Sequence, residues 1–167
     1  LIHYHGTPMT PRSKLLPMAG KHFCVSFADK RDGDWCLLNA QSVMWDNGAF
    51  TAYTKGKAPD WNGYYKWLED RLSHPHWAVV PDVIDGTPEN NLELINQWPH
   101  RKDCSAVVWH MDEPIDHLLH LLTLGLTLYQ KKVLFLGFTC FEDCRCPGTN
   151  ILLLRPTVQM LLGITTN

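Results

Sequence analysis

The stretch 42-SVMWDNGAF-50 decides how the chain is read. An apolar run, Val43 to Trp45, stops on Asp46 and is followed at once by Asn47-Gly48. Between two alternating strands, Asn-Gly closes a two-residue hairpin and Asp46 is a turn former. Between a strand and a helix, the same residues open a βα loop. Asp46 then stands at the carboxyl end of a strand, where parallel α/β folds build their sites.

The surroundings favour the second reading. Strand-length apolar runs recur as "LIHYH" (1–5), "HFCVSF" (22–27), "QSVMWD" (41–46), "WAVVPD" (77–82), "SAVVWH" (105–110) and "KKVLFLGF" (131–138). They are mostly unbroken by polar alternation, as expected for strands covered on both faces. Helix patterns lie between several of them. "DWNGYYKWLEDRLS" has Asp60 as N-cap and places Trp61, Tyr65, Leu68 and Leu72 on one face. "GTPENNLELINQWP" has Thr87 as N-cap, Pro88 at the first helical position and Pro99 as the stop, with Asp85 a turn residue beside Gly86. "DEPIDHLLHLLTLG" repeats the grammar, with Asp112 as cap, Pro114 early, Ile115, Leu118, Leu119 and Leu122 inward, and Gly125 at the end.

Strand alternating with helix implies right-handed βαβ units and a parallel sheet, so Asn47-Gly48 begins a βα loop. The strand ends then carry His3 and His5, Ser26, Asp46, Asp82 and His110, polar groups that converge on one crevice. Each has a plainer reading as a cap or a satisfied core residue. Asp60 and Thr87 already serve as caps, which leaves Asp46 and Asp82 for a site.

The totals set bounds. With 167 residues, 45% hydrophobic and 19% charged, the chain has the composition of one globular domain with a substantial core. No run approaches the roughly 18 apolar residues of a spanning helix, and "LIHYHGTP" carries no signal-peptide pattern, so a cytoplasmic location with no membrane partner is expected. A formal charge of -2 excludes an overall basic field, though not a local basic groove. The six cysteines are expected as reduced thiols, with Cys24, Cys36 and Cys104 as small core residues.

At this point the motifs resemble a known family. "VMWDNGAF" resembles the strand-Asp-Ser-Gly-Gly-Phe motif of tRNA-guanine (queuine or archaeosine) transglycosylases. "VVPDVIDGTPEN" resembles their next acidic strand end, and "VVWHMDEPIDHLLHLLTLG" is similar to the strand, loop and helix that follow. From "IHYHGTP" onward the run is similar to phage and bacterial relatives of these enzymes, over about residues 1–125. The resemblance implies a parallel (β/α) barrel of TIM type. It also implies binding of guanine or a 7-deazaguanine for base exchange on a nucleic acid, tRNA or DNA, with no cofactor.

By the same resemblance Asp82 grips the base, Asp46 is a second, catalytic acid assisting proton transfer, and Gly48 lets backbone approach the base. Phe50 and Trp45 are candidate stacking or wall residues. Asn47 and Ala49 stand where the motif has Ser and its second Gly, and His110 where the family has glutamine. The chemistry of the acids has an independent rationale. Guanine presents N1–H and its exocyclic amine as adjacent donors, and a carboxylate offers two acceptors at matching spacing.

Two departures follow. The family's nucleophilic aspartate belongs to a later strand, beyond the resemblance, and six strand candidates fall short of eight, so an incomplete barrel is expected. Residues 126–167 diverge, ending in the apolar "NILLLRPTVQMLLGITTN". They are expected to be a truncated or frameshifted part of the same domain that packs less well than residues 1–125. Cys140, Cys144 and Cys146 in "CFEDCRC" resemble the family's zinc site but supply three thiolates at most, where structural zinc takes four ligands. Two rival readings stay open. One is a metal-dependent, amidohydrolase-like hydrolase using His3-x-His5 with Asp82 and His110. The other is a non-catalytic fragment.

Overall fold

The computed structural model of the chain describes residues 2–110, 113–123 and 135–137. Five strands, β1 (Tyr4–Gly6), β2 (His22–Ser26), β3 (Ser42–Asp46), β4 (Trp77–Val79) and β5 (Ser105–Ala106), form one sheet in sequence order. Every pairing in it is parallel. A second, two-stranded parallel sheet joins β6 (Val108–His110) to β7 (Phe135–Gly137). Each of the six apolar runs therefore carries a strand, and the fifth is divided at Val107 between two sheets. The mixed α/β class with a parallel sheet stands as expected.

Among the described residues five α-helices lie between the strands: α1 (Gly33–Asn39), α2 (Ala49–Thr54), α3 (Trp61–Leu68), α4 (Pro88–Asn96) and α5 (Ile115–Thr123). Asn47-Gly48 makes no hairpin; it leads from β3 straight into α2. Asp60 caps α3 by accepting the Gly63 N–H at 2.9 Å. Thr87 and Asn90 form a reciprocal capping box on α4, with Pro88 at its first turn. Both caps are where the sequence put them.

Because the strand order never reverses, right-handed crossovers send successive helices to the same face of the sheet. That face carries the larger core. Phe23, Val25, Val43, Trp45, Ala78, Val80 and Val107 pack there against Cys36 of α1, Tyr64 and Leu68 of α3, Ile95 of α4 and Leu121 of α5. Phe23, Trp45, Tyr64, Leu68 and Leu121 have no exposed surface, and full burial of such apolar side chains contributes about 1.5–3 kcal/mol each. The opposite face holds a smaller cluster of Tyr4, Met44, Trp77, Val79 and Ala106.

Several helix faces differ from expectation. In α3 the buried residues are Tyr64 and Leu68, while Trp61 and Tyr65 are half-buried, as is Leu72, which lies beyond the helix. Tyr64 turns inward because its hydroxyl reaches two carbonyls, Trp45 and Val79, each at 2.9 Å, which ties β3 to β4. In α5, Leu118 and Leu121 are buried with His117, and Ile115 and Leu119 are exposed. The helix α1 had no cap signal: Asp32 precedes it without capping it, its carboxylate instead accepting the Met9 N–H at 2.8 Å. Asp112, Gly125, Cys140, Cys144, Cys146 and most of 126–167 lie outside the described residues, as does the expectation that this segment packs less well. No described helix is long and apolar enough to cross a membrane.

Candidate functional site

The site is assembled at the carboxyl ends of β2, β3, β4 and β6. Cα register aligns Ser26 with Asp46. Side chains alternate along a strand, so Asp46 shares the face of Met44, the one opposite the main helical core. Trp45, one residue earlier, points the other way and is fully buried in that core. It is therefore a core residue, not a wall of the site, and its indole N–H donates to the Arg71 carbonyl at 3.2 Å.

Asp46 is half-buried. Burial pushes its carboxyl above the ordinary value of 3.8, and the nearby Asp82 charge pushes the same way. The Ser26 hydroxyl and the Gly48 N–H, 3.1 Å from Oδ2, act in the opposite sense. Asp46 therefore keeps its proton to higher pH than a free aspartic acid does.

Asp82 lies three residues beyond β4, with 7% of its surface exposed. Asn47 donates from Nδ2 to Asp82 Oδ1 at 2.7 Å, and His110 Nε2 lies 3.3 Å from Asp82 Oδ2. Asn47 itself is buried and holds three groups at once. Nδ2 also donates to the Val80 carbonyl at 3.0 Å, and Oδ1 accepts the Ala49 N–H at 2.8 Å. One amide thus fixes the start of α2 against the end of β4. His110 is positioned from behind by Glu113, whose Oε2 accepts the His110 backbone N–H at 2.9 Å. Glu113 Oε1 accepts from Asn91 of α4 at 3.3 Å, and Asn91 Oδ1 accepts the Val83 N–H at 2.8 Å. The segments that carry Asp82 and His110 are thereby joined through α4.

The structure brings together Ser26, Asp46, Asp82 and His110, as the strand-end argument expects, with Gly48 beside them. Gly48 has φ +76°, and a Cβ there would stand 3.0 Å from the Ala28 backbone nitrogen, so close backbone approach is real but is made to the β2–α1 loop. Phe50 lies on α2 with 66% of its surface exposed, and no described contact joins it to the acids. His3 and His5 are not part of the group. Their rings touch each other at 4.5 Å, and the His5 ring lies 6.0 Å from that of Phe23, which belongs to the helical face. The expected metal set of His3, His5, Asp82 and His110 is thus not assembled. Among the described residues no three His, Cys, Asp or Glu side chains are arranged to hold a metal ion.

Beside the acid cluster, on the other side of the Asn47-Gly48 loop, a cleft of about 220 Å³ opens between the β2–α1 loop, α2 and the α2–α3 loop. Phe27, Ala28, Gly48, Lys55, Lys57 and Asp60 line it. Sequence reasoning missed this cleft, and it missed Asn47, Asn91 and Glu113 as organising residues. The run "YTKGKAPD" (53–60), with two lysines around a glycine next to a strand-end loop, was the available signal for the cleft. Compared with known family models, curated proteins and solved structures, the chain gives no match.

Proposed function

We propose that the chain is part of a TIM-type (β/α) barrel of the tRNA-guanine transglycosylase kind, binding guanine or a 7-deazaguanine for base exchange on a nucleic acid. The observation that carries this reading is the pairing of two carboxylates, Asp46 and Asp82, at adjacent strand ends, with Asn47 and His110 flanking Asp82. Unreversed strand order with helices on one face is the winding of a barrel, and it supports the fold half of the proposal.

A carboxylate has about four lone-pair sites on its two oxygens. Asn47 and His110 engage one oxygen each, which leaves each oxygen a further acceptor position for the paired donors of a guanine edge. The two flanking residues fix the carboxylate plane, so its orientation need not be re-established when a base arrives. Asp46, with its proton affinity raised by burial, is suited to give and take a proton at the base as it leaves or enters. His110 supplies a ring nitrogen beside the same edge. The covalent step of this chemistry calls for a further aspartate from a later strand.

Calorimetric titration with guanine tests the proposal. Asp82→Asn exchanges an acceptor for a donor facing the base, and a mispaired buried contact of this kind costs about 1–3 kcal/mol, roughly tenfold to a hundredfold in affinity. Adenine, which presents a different edge, should bind poorly to both forms. Guanine affinity unchanged in both Asp82→Asn and Asp46→Asn, with their circular dichroism native, would overturn the reading. Loss of a bound divalent metal in Asp82→Asn would point to the hydrolase instead.

A further inference from the structure

The cleft beside the Asn47-Gly48 loop is not used by the chemistry above, and its lining is of two kinds. Phe27, Ala28, Ala52, Ala58 and Pro59 give it apolar walls. Lys55 and Lys57 give it charge, and a third ammonium, that of Lys30, stands 4.3 Å over the Phe27 ring at its edge. The nearby acids are engaged. The Asp60 carboxylate caps α3, and Asp29 is held bidentately by Arg31, with Lys55 in electrostatic range. Every ion pair among the described residues is made by arginine or histidine, none by these three lysines.

We infer that this cleft is a nucleotide subsite, in which Lys55 and Lys57 hold a phosphate while the apolar wall of Phe27, Ala52 and Pro59 takes the attached sugar or base. Lysine meets phosphate as a point charge on a flexible stem, which suits a polymer backbone that passes in more than one register. Apolar and aromatic surface beside lysine is the make-up of sites that bind single-stranded nucleic acid. Asn47 and Gly48, which line the cleft, also bind the two acids, Asn47 donating to Asp82 and the Gly48 N–H to Asp46, so a strand whose base enters the acid cluster has a neighbouring nucleotide at the lysines. The choice of a nucleic-acid strand over a free nucleotide rests on the base-exchange reading; the phosphate site itself rests on the cleft.

The test is fluorescence anisotropy of the full chain with fluorescein-labelled RNA and DNA dodecamers of mixed sequence, over a salt series. The cleft variant is Lys55→Gln with Lys57→Gln. The control is Lys21→Gln with Lys102→Gln, two exposed lysines at the opposite ends of β2 and β5 with the same change in net charge. Two lost phosphate contacts should lower the slope of log affinity against log salt by about 1.4. The affinity loss should then be on the order of 50-fold at about 50 mM salt and about tenfold at about 200 mM. The control should bind as the wild type does. An equal loss in both variants, a wild-type slope in the cleft variant, or no binding by the wild type would overturn the inference.

Guanosine monophosphate as competitor separates the sources. Full displacement with the same lysine dependence identifies a free nucleotide, and weak displacement identifies the strand; either supports a phosphate site. Guanine titration of the cleft variant should match the wild type. If the wild type takes up no guanine while the dodecamer still depends on Lys55 and Lys57, base exchange fails and the subsite stands. Guanine binding with no lysine dependence of the dodecamer is the reverse.

Discussion

Replacing Asn47 by alanine should be among the most costly single changes in this chain. Asn47 is 4% exposed, and its amide satisfies the Val80 carbonyl, one Asp82 oxygen and the Ala49 N–H. Asn47→Ala leaves all three without that partner. A buried polar group deprived of its partner costs about 1–3 kcal/mol, more when it is charged, as the Asp82 oxygen is. Water can enter the space of the lost amide and recover part of this, so we expect a loss of about 3 kcal/mol rather than the sum. For a chain of this size that lowers the melting temperature by about 6–12 °C. Urea unfolding followed by tryptophan fluorescence measures it.

Asn47→Asp sharpens the test, because it keeps the shape and replaces the donor with a second carboxyl facing Asp82. Burial and the like charge would raise the introduced carboxyl's pKa in the folded state above its unfolded value of about 3.9. Stability relative to wild type should then be lost progressively as pH rises above about 4, and partly regained in acid, where the protonated group can donate to Asp82. A loss below about 1 kcal/mol in Asn47→Ala, or no pH dependence in Asn47→Asp, would refute the assignment of Asn47 as the organising residue.

Asp46→Asn should stabilise the fold at neutral pH while weakening guanine binding. The folded-state carboxyl is raised by burial, so its contribution is fully present below the unfolded value and lost as pH rises through the folded one. Asparagine has no such dependence and can still accept from Gly48 and Ser26, so unfolding curves of the two proteins should converge below about pH 4. Gly48→Ala puts a side chain at φ +76° and 3.0 Å from the Ala28 nitrogen, and should cost about 1–2 kcal/mol or more in urea unfolding. Tyr64→Phe removes the hydroxyl shared by the Trp45 and Val79 carbonyls and should cost about 1–3 kcal/mol by the same measurement. Burial pushes the Cys36 thiol up to about 12, so peptide mapping after alkylation at neutral pH should find Cys36 modified only once the chain is unfolded.

Strands and helix starts were legible in the sequence because their causes are local. Asp60 caps a helix that begins at the next residue, and the Thr87-Asn90 box spans four residues. The divided strand end at Val107 left no sign, since which neighbour Ser105 and Val108 pair with is decided outside their own run. Asp46, Asp82 and His110 were legible as strand-end polar groups, but what organises them was not. Asn47 reaches Asp82 across 35 residues of sequence, and Asn91 reaches Glu113 across 22, and such partnerships impose no periodicity on the chain. The apolar stripe points to Tyr65 rather than Tyr64, because such a stripe does not reveal which tyrosine finds an acceptor for its hydroxyl.

The break at Val107 also bears on the crevice between Asp82 and His110. Ala106 is the last residue of its run paired with β4, and its carbonyl accepts the Val80 N–H at 2.8 Å; from Val108 onward the backbone pairs outward, with β7. No ladder bond between β4 and β6 sets the width of the crevice at the level of the acids. That width is held by a tether of side chains, Asn47 to Asp82 to His110 in front and Asn91 to Glu113 behind. The two walls of the site are thus joined by a seam of polar side chains where the neighbouring strands are joined by backbone. Its gauge is therefore a matter of residue identity, so exchanging one amide or one carboxylate resets the spacing while the sheet beneath keeps its register.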